Sequence, residues 1–135
     1  MEPSTGSITA AIETLGDRWT LLILRDVIFE DRRYFRALLT GSAEGIASNI
    51  LADRLVRLVD AGILARGTAA RGQRARYSLT EAGIQTLPIL LALGVWGAAW
   101  RREHDELTGR PSLTPDVAQL IDELRARHRL DPSPG

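Results

Sequence analysis

The sequence predicts a mainly α-helical domain with one small β-hairpin. Three observations predict it. Successive segments carry apolar residues at the 3.6-residue spacing of amphipathic helices. One arginine-rich stretch, ARGTAARGQRARYSLTEAG, is bracketed by two short segments of strand character. A chain of 135 residues has room for one hydrophobic core and not two, so residues 1–135 read as a single domain.

The elements follow in order. MEPSTGS reads as a loose tail over residues 1–7. Ile8, Ile12 and Leu15 lie at i, i+4 and i+7, one face of a short helix that Gly16 ends. In RWTLLILRDVIFE, the residues Trp19, Leu22, Ile23, Val27 and Ile28 form a broad apolar face and predict a mostly buried helix, with Trp19 in the core. Arg32 and Arg33 precede a short helix, YFRALLTG, closed by Gly41, and SAEG reads as a turn. The most regular helix is ASNILADRLVRLVDAG, spanning about 47–61. Leu51, Leu55, Leu58 and Val59 form its stripe, and Gly62 terminates it. Asn49, Asp53, Val56, Arg57 and Asp60 fall on the opposite face, with Arg54 on the flank.

Two strand candidates, at 63–65 and 76–79, enclose a glycine-bearing loop with Arg71 and Arg74. Thr80 caps a long helix predicted over 81–104, which carries Leu87, Leu90, Leu91, Leu93, Trp96 and Trp100. Thr114, Pro115 and Asp116 supply an N-cap, a first-turn proline and a dipole-favoured acid for a last helix over 114–129. Its stripe is Val117, Leu120, Ile121 and Leu124. Residues 130–135 read as a frayed end.

Composition narrows the function. The chain has no cysteine, which removes disulfides, thiolate metal sites and thiol chemistry. His104 and His128 are the only histidines and show no ligand spacing, so no metal site is expected. There is no glycine-rich phosphate loop and no nucleophile elbow, so neither an enzyme nor a cofactor is expected. The longest apolar stretch, 87–100, is cut by Gly94 and Gly97 and falls short of the roughly 20 residues a bilayer requires. HDEL at 104–107 is internal, where a retention signal is not read. With no signal peptide, a cytoplasmic location is expected.

All 17 basic residues are arginine, which suits bidentate phosphate and guanine contacts; GC-rich coding would produce the same bias. The net charge is zero, but residues 32–76 hold nine arginines against Glu44, Asp53 and Asp60, a local charge of +6. The remainder carries −6. A basic middle is an electrostatic footprint for a polyanion.

Helix, helix, short helix, turn, two-faced helix and basic hairpin is the order of a winged helix-turn-helix. A helix fits the DNA major groove with its N-terminal residues at base edges, and a basic hairpin tracks the phosphates beside it. Asn49 is the natural reader of adenine, with Ser48 beside it. Arg54 or Arg57 is a candidate for phosphate or guanine, Arg32 and Arg33 are further DNA-contact candidates, and Arg71, Arg74 and Arg76 are candidates for the backbone. Asp53 and Asp60 oppose this reading, because they would repel a nearby phosphate. With Val56 they suit an alternative, a winged helix that binds another protein and no DNA.

ETLGDRWTLLILRD, SNILADRLVRLVDAGIL and RYSLTEAGIQTLPILLALGVWG resemble the HxlR-type winged helix-turn-helix regulators of bacteria, within the broader MarR-like group. The resemblance covers about residues 7–100. It implies a homodimer built from the first helix and the long helices after the wing, bound to inverted-repeat double-stranded DNA, most commonly as a repressor. It also implies that the 47–61 helix enters the major groove and that the 66–76 segment is the wing. Gly6 stands where many members carry a sensing cysteine, so thiol sensing does not transfer. Trp96 and Trp100, at i and i+4, are read either as core or dimer packing or as the wall of a pocket for a small-molecule effector. The final helix packs on its own domain or across the dimer.

Overall fold

The computed structural model describes residues 2–69, 72–101 and 116–129. Its elements are α1 (Thr5–Leu15), α2 (Arg18–Glu30), α3 (Phe35–Gly41), α4 (Ser48–Asp60), β1 (Leu64–Arg66), β2 (Tyr77–Leu79), α5 (Glu81–Ile84), α6 (Leu87–Trp100) and α7 (Val117–Arg127). This is the expected mainly helical winged fold. The core lies where α2, α3, α4 and the hairpin meet. Leu24, Val27, Leu38, Leu51, Leu55, Leu58, Leu64, Leu79 and Leu87 are sealed there, with Leu124 entering from α7. Trp19 packs against this core while partly exposed.

Several boundaries differ from the sequence reading, for local reasons. Helix α1 begins at Thr5 instead of after residue 7, because Ser4 and Ser7 form a reciprocal capping box. The helix expected over 81–104 is two helices. Pro88 has no N–H for the carbonyl four residues earlier, and its ring crowds that carbonyl, so α5 stops at Ile84 and Pro88 sits in the first turn of α6. Thr86 bridges the break by donating its hydroxyl to the Gly83 carbonyl at 2.6 Å. Gly83 itself lies against the hairpin: a Cβ there would fall 2.2 Å from the Ile63 carbonyl oxygen. The N-cap of α7 is Asp116, which accepts from the Gln119 N–H at 3.1 Å. Thr114 and Pro115, like His104 and residues 130–135, lie outside the described residues.

The run from Glu81 to Trp100 is 20 residues of mean hydropathy 1.5, long and apolar enough to cross a membrane by length and composition alone. The break before Leu87 leaves a continuous helix of 14 residues. At 1.5 Å per residue that is about 21 Å, short of a ~30 Å hydrocarbon core.

Helices α1 and α6 differ from the rest in what they leave uncovered. No residue of α1 is buried, and Ile8 and Ile12 stand open to solvent. On α6, Ile89, Leu93, Val95, Trp96 and Trp100 are all exposed, although Leu90 and Leu91 pack inward. Helix α7 packs against α5 and α6 of its own chain.

Candidate nucleic-acid interface

The turn between α3 and α4 sets the presentation of α4. Gly45 adopts φ +71°, a left-handed conformation that favours glycine, and its N–H donates to the Ser42 carbonyl at 3.3 Å. The Ser42 hydroxyl accepts from the Ile46 N–H at 3.2 Å, and Ile46 is buried. Glu44 accepts both Arg25 Nη atoms, at 2.9 and 2.7 Å, and Arg25 also donates from Nε and Nη2 to the buried Asp26 at 3.0 and 2.8 Å. The Arg25 hydrogen bond holds the Glu44 carboxyl below its ordinary range. The SAEG turn is thereby fastened to α2 by a bidentate charge pair, which fixes the angle between the two helices of the motif.

Helix α4 buries Leu51, Leu55 and Leu58 and exposes Ser48, Asn49, Ala52, Asp53, Val56, Arg57 and Asp60. Its N-cap is Ala47, which offers no side-chain acceptor to the first-turn N–H groups. Ser48 and Asn49 are thus exposed at the open, electropositive end of the helix.

The arginines divide by what already holds them. Arg54 donates from Nε to Asp17 Oδ2 at 2.7 Å, from Nη2 to Asp17 Oδ1 at 3.3 Å, and from Nη1 to Asp53 at 2.7 Å. Asp17 is also the N-cap of α2, accepting the Thr20 N–H at 3.0 Å. The Arg54 hydrogen bond holds the Asp17 carboxyl down at about 2. Arg54 therefore ties α4 to the start of α2 and is committed to the fold. Arg57, mostly exposed, uses Nε on Asp53 at 3.0 Å. Asp53, which the sequence set against a DNA partner, is the shared anchor of both arginines.

Arg33 departs furthest from its expected role. It is 7% exposed, and its guanidinium donates to the Tyr77 carbonyl at 3.0 Å, the Arg127 carbonyl at 3.0 Å and the Ser78 hydroxyl at 2.6 Å. Burial, reinforced by nearby Arg76, lowers its pKa from the ordinary value. A side chain enclosed behind the hairpin has no path to a phosphate, so Arg33 is removed from the contact set. Arg32 is partly exposed and lies 3.5 Å from Asp26.

The hairpin pairs Leu64 with Leu79, Ala65 with Ser78 and Arg66 with Tyr77. Gly67 N–H donates to the Arg76 carbonyl at 2.8 Å, and Tyr34 forms an antiparallel bridge to Arg76. Arg74 lies over the Tyr34 ring, 5.6 Å from its centroid, within cation–π range. Arg66, Arg74 and Arg76 are exposed. Arg71 lies outside the described residues. Arg66 opens the 66–76 segment read as the wing and is exposed beside Arg74 and Arg76.

Trp96 and Trp100 are 58% and 70% exposed and take no part in the core. A cleft of about 220 Å³ between α1, α2 and α4 is lined by Glu13, Asp17, Thr20 and Arg57 and includes neither tryptophan. Among the described residues no group of three or more His, Asp or Glu is placed to hold a metal ion.

Comparison with known proteins identifies the family and the fold. The profile of the HxlR-like helix-turn-helix family matches residues 14–105. An uncharacterized HTH-type transcriptional regulator of Mycobacterium tuberculosis is 36% identical over 110 residues, covering 81% of this chain and 63% of that protein. The chain therefore spans less than two thirds of the length of that relative. Another HTH-type regulator, from Synechocystis, is 30% identical over 98 residues, 72% of this chain and 71% of that one. Among solved structures, PA1607, a candidate transcription factor, superposes with a TM-score of 0.64 at 33% identity, covering 72% of this chain and 66% of that one. The redox regulator HypR in its reduced form shares the fold, with a TM-score of 0.63 at 23% identity over 77% of this chain and 99% of its own. The chain belongs to the HxlR-like helix-turn-helix family.

Proposed function

We propose that this protein is a sequence-specific DNA-binding transcriptional regulator that acts in the cytoplasm as a homodimer and represses by occupying an inverted-repeat operator. The observation that carries the reading is the pairing of two surfaces. An exposed polar helix face opens with Ser48 and Asn49, and a hairpin beside it presents Arg66, Arg74 and Arg76. Helix α4 enters the major groove, Asn49 reads adenine through its two-way amide, Arg57 meets phosphate or guanine, and the 66–76 wing tracks the backbone. Arg32 and Arg71 remain candidates for the phosphates.

The homodimer is supported by the uncovered apolar faces of α1 and α6. Ile8, Ile12, Val95, Trp96 and Trp100 all stand open to solvent, and large exposed apolar patches mark interaction surfaces. A second copy of the same two helices would cover it. A small effector, if one is bound, would use Trp96 and Trp100 at that seam. The protein-binding alternative loses one of its three supporting residues, because Asp53 is engaged by Arg54 and Arg57, while Val56 and Asp60 stay exposed.

Selection from a random duplex pool tests the function. The enriched sequences should form an inverted repeat with half-sites about 10 bp apart, or a multiple of that. A pool that binds yet stays random would overturn sequence-specific recognition.

A further inference from the structure

A two-stranded hairpin leaves the outer edge of each strand open, and an open edge leaves backbone donors and acceptors unpaired. In this protein the outer edge of β2 is closed by residues from distant parts of the chain. Tyr77 N–H donates to the Arg33 carbonyl at 2.7 Å, and Arg33 Nε donates back to the Tyr77 carbonyl at 3.0 Å. Leu79 N–H donates to His128 Nδ1 at 3.0 Å. The remaining arms of Arg33 reach Ser78 and the Arg127 carbonyl, so one guanidinium joins the strand to the end of α7. Arg125 adds an outer pair to Glu81 at 2.5 Å.

His128 is 2% exposed, and an imidazole that accepts at Nδ1 carries its proton on Nε2, which is buried with no partner among the described residues. Burial first, and then the neighbouring Arg33, hold its pKa down to about 4, so the acceptor is present throughout the neutral range. Enclosing a guanidinium and an imidazole costs desolvation that apolar residues would not incur. What the polar pair supplies, and apolar packing cannot, is a fixed position for the backbone of β2. That backbone runs directly into Arg76 and Arg74.

We propose that Arg33 and His128 are positioning residues for the wing: by closing the outer edge of β2 they hold Arg74 and Arg76 at a fixed height beside α4. The proposal rests on reading the hairpin as a phosphate-tracking wing. It makes the end of α7, outside the helix-turn-helix unit, a part of the DNA-binding device.

The test uses the full chain, a random-sequence duplex and two readouts, the salt dependence of binding and hydrogen exchange at the Leu79 amide. His128→Phe keeps ring and burial and removes the acceptor; His128→Asn restores an acceptor close to the place of Nδ1. Expected for His128→Phe is a salt slope lower by about one, as for Arg74→Ala in the same assay, and Leu79 exchange faster by roughly tenfold or more. His128→Asn should return both towards wild type. Should His128→Phe fail to fold, Arg33→Lys keeps the charge, loses the three-armed bonding and should show the same lowered slope. A slope that falls in Arg74→Ala but not in His128→Phe or Arg33→Lys would overturn the positioning role and leave the wing intact. No change in Arg74→Ala or Arg76→Ala would overturn the wing reading, and the positioning role with it.

Discussion

Arg54 and Arg57 lie three residues apart on α4, yet Arg54 is held by Asp17 and Asp53 while Arg57 stands mostly exposed, and the difference is measurable. Asp17 serves α2 as N-cap and Arg54 as ion-pair partner. Losing an N-cap costs about 1 kcal/mol. The depression of the Asp17 pKa from 3.8 to about 2 corresponds to about 2 kcal/mol at full strength. Its side chain is 39% exposed, and solvent screening reduces that to about 1 kcal/mol. Asp17→Ala should therefore cost about 2 kcal/mol, and Asp17→Asn, which keeps a cap acceptor, about half as much. Arg54→Ala should cost about 1 kcal/mol, and the double variant should show a coupling of about 1 kcal/mol. Because the folded-state pKa is depressed, this stability is fully present above about pH 4 and is lost as pH falls towards 2. Urea unfolding of the four variants at about pH 7 and again at about pH 3 reads every one of these quantities. Additive losses at neutral pH, with no coupling, would refute the assignment of Arg54 to the fold. In DNA binding the expectation reverses: Arg57→Ala lowers the salt slope by about one, and Arg54→Ala leaves it unchanged.

Three further outcomes are expected. Asn49→Ala should cost about 1–3 kcal/mol at the selected operator and relax preference at one base position; equal loss on random DNA would remove Asn49 as a reader. Val95→Asp, on the open face of α6, should shift the mass seen by light scattering from two chains to one, since an unpaired buried carboxylate is expensive; an unchanged dimer would place the interface elsewhere. His128 faces Arg33, Arg76 and Arg127, with Asp31 the opposing charge, and its folded-state pKa lies below the unfolded value. Its stability contribution is fully present above 6.5 and is lost as pH falls from 6.5 to about 4, so between 6.5 and about 5 urea midpoints should decline more steeply in wild type than in His128→Phe; equal slopes would refute it.

Much of the fold could be read from local pattern. The stripe of Leu51, Leu55 and Leu58 located α4, and Gly62, at φ +75°, marked its end. The basic tract between two strand-like segments located the hairpin. Orientation was harder to read. Arg32 and Arg33 are adjacent and equally charged, but one is partly exposed and the other is enclosed by Tyr77, Ser78 and Arg127. That enclosure depends on contacts 44 to 94 residues away, which no local pattern encodes. The Asp17–Arg54 pair spans 37 residues and was hidden for the same reason. Periodicity identified Ile8 and Ile12 as an apolar face without saying whether their own core covers it, and in this chain it does not. The break before α6 was legible in principle, since Pro88 carries it, and the continuous apolar pattern masked it.

The central claim, that α4 and the hairpin recognise a specific DNA sequence, is tested most directly by fluorescence anisotropy. The protein would be titrated against its own upstream intergenic DNA and against a scrambled duplex of equal length, at several salt concentrations. Tighter binding to the upstream DNA by about 10³ or more, with affinity falling steeply as salt rises, is the predicted result. Absence of binding to either duplex at low salt would contradict it.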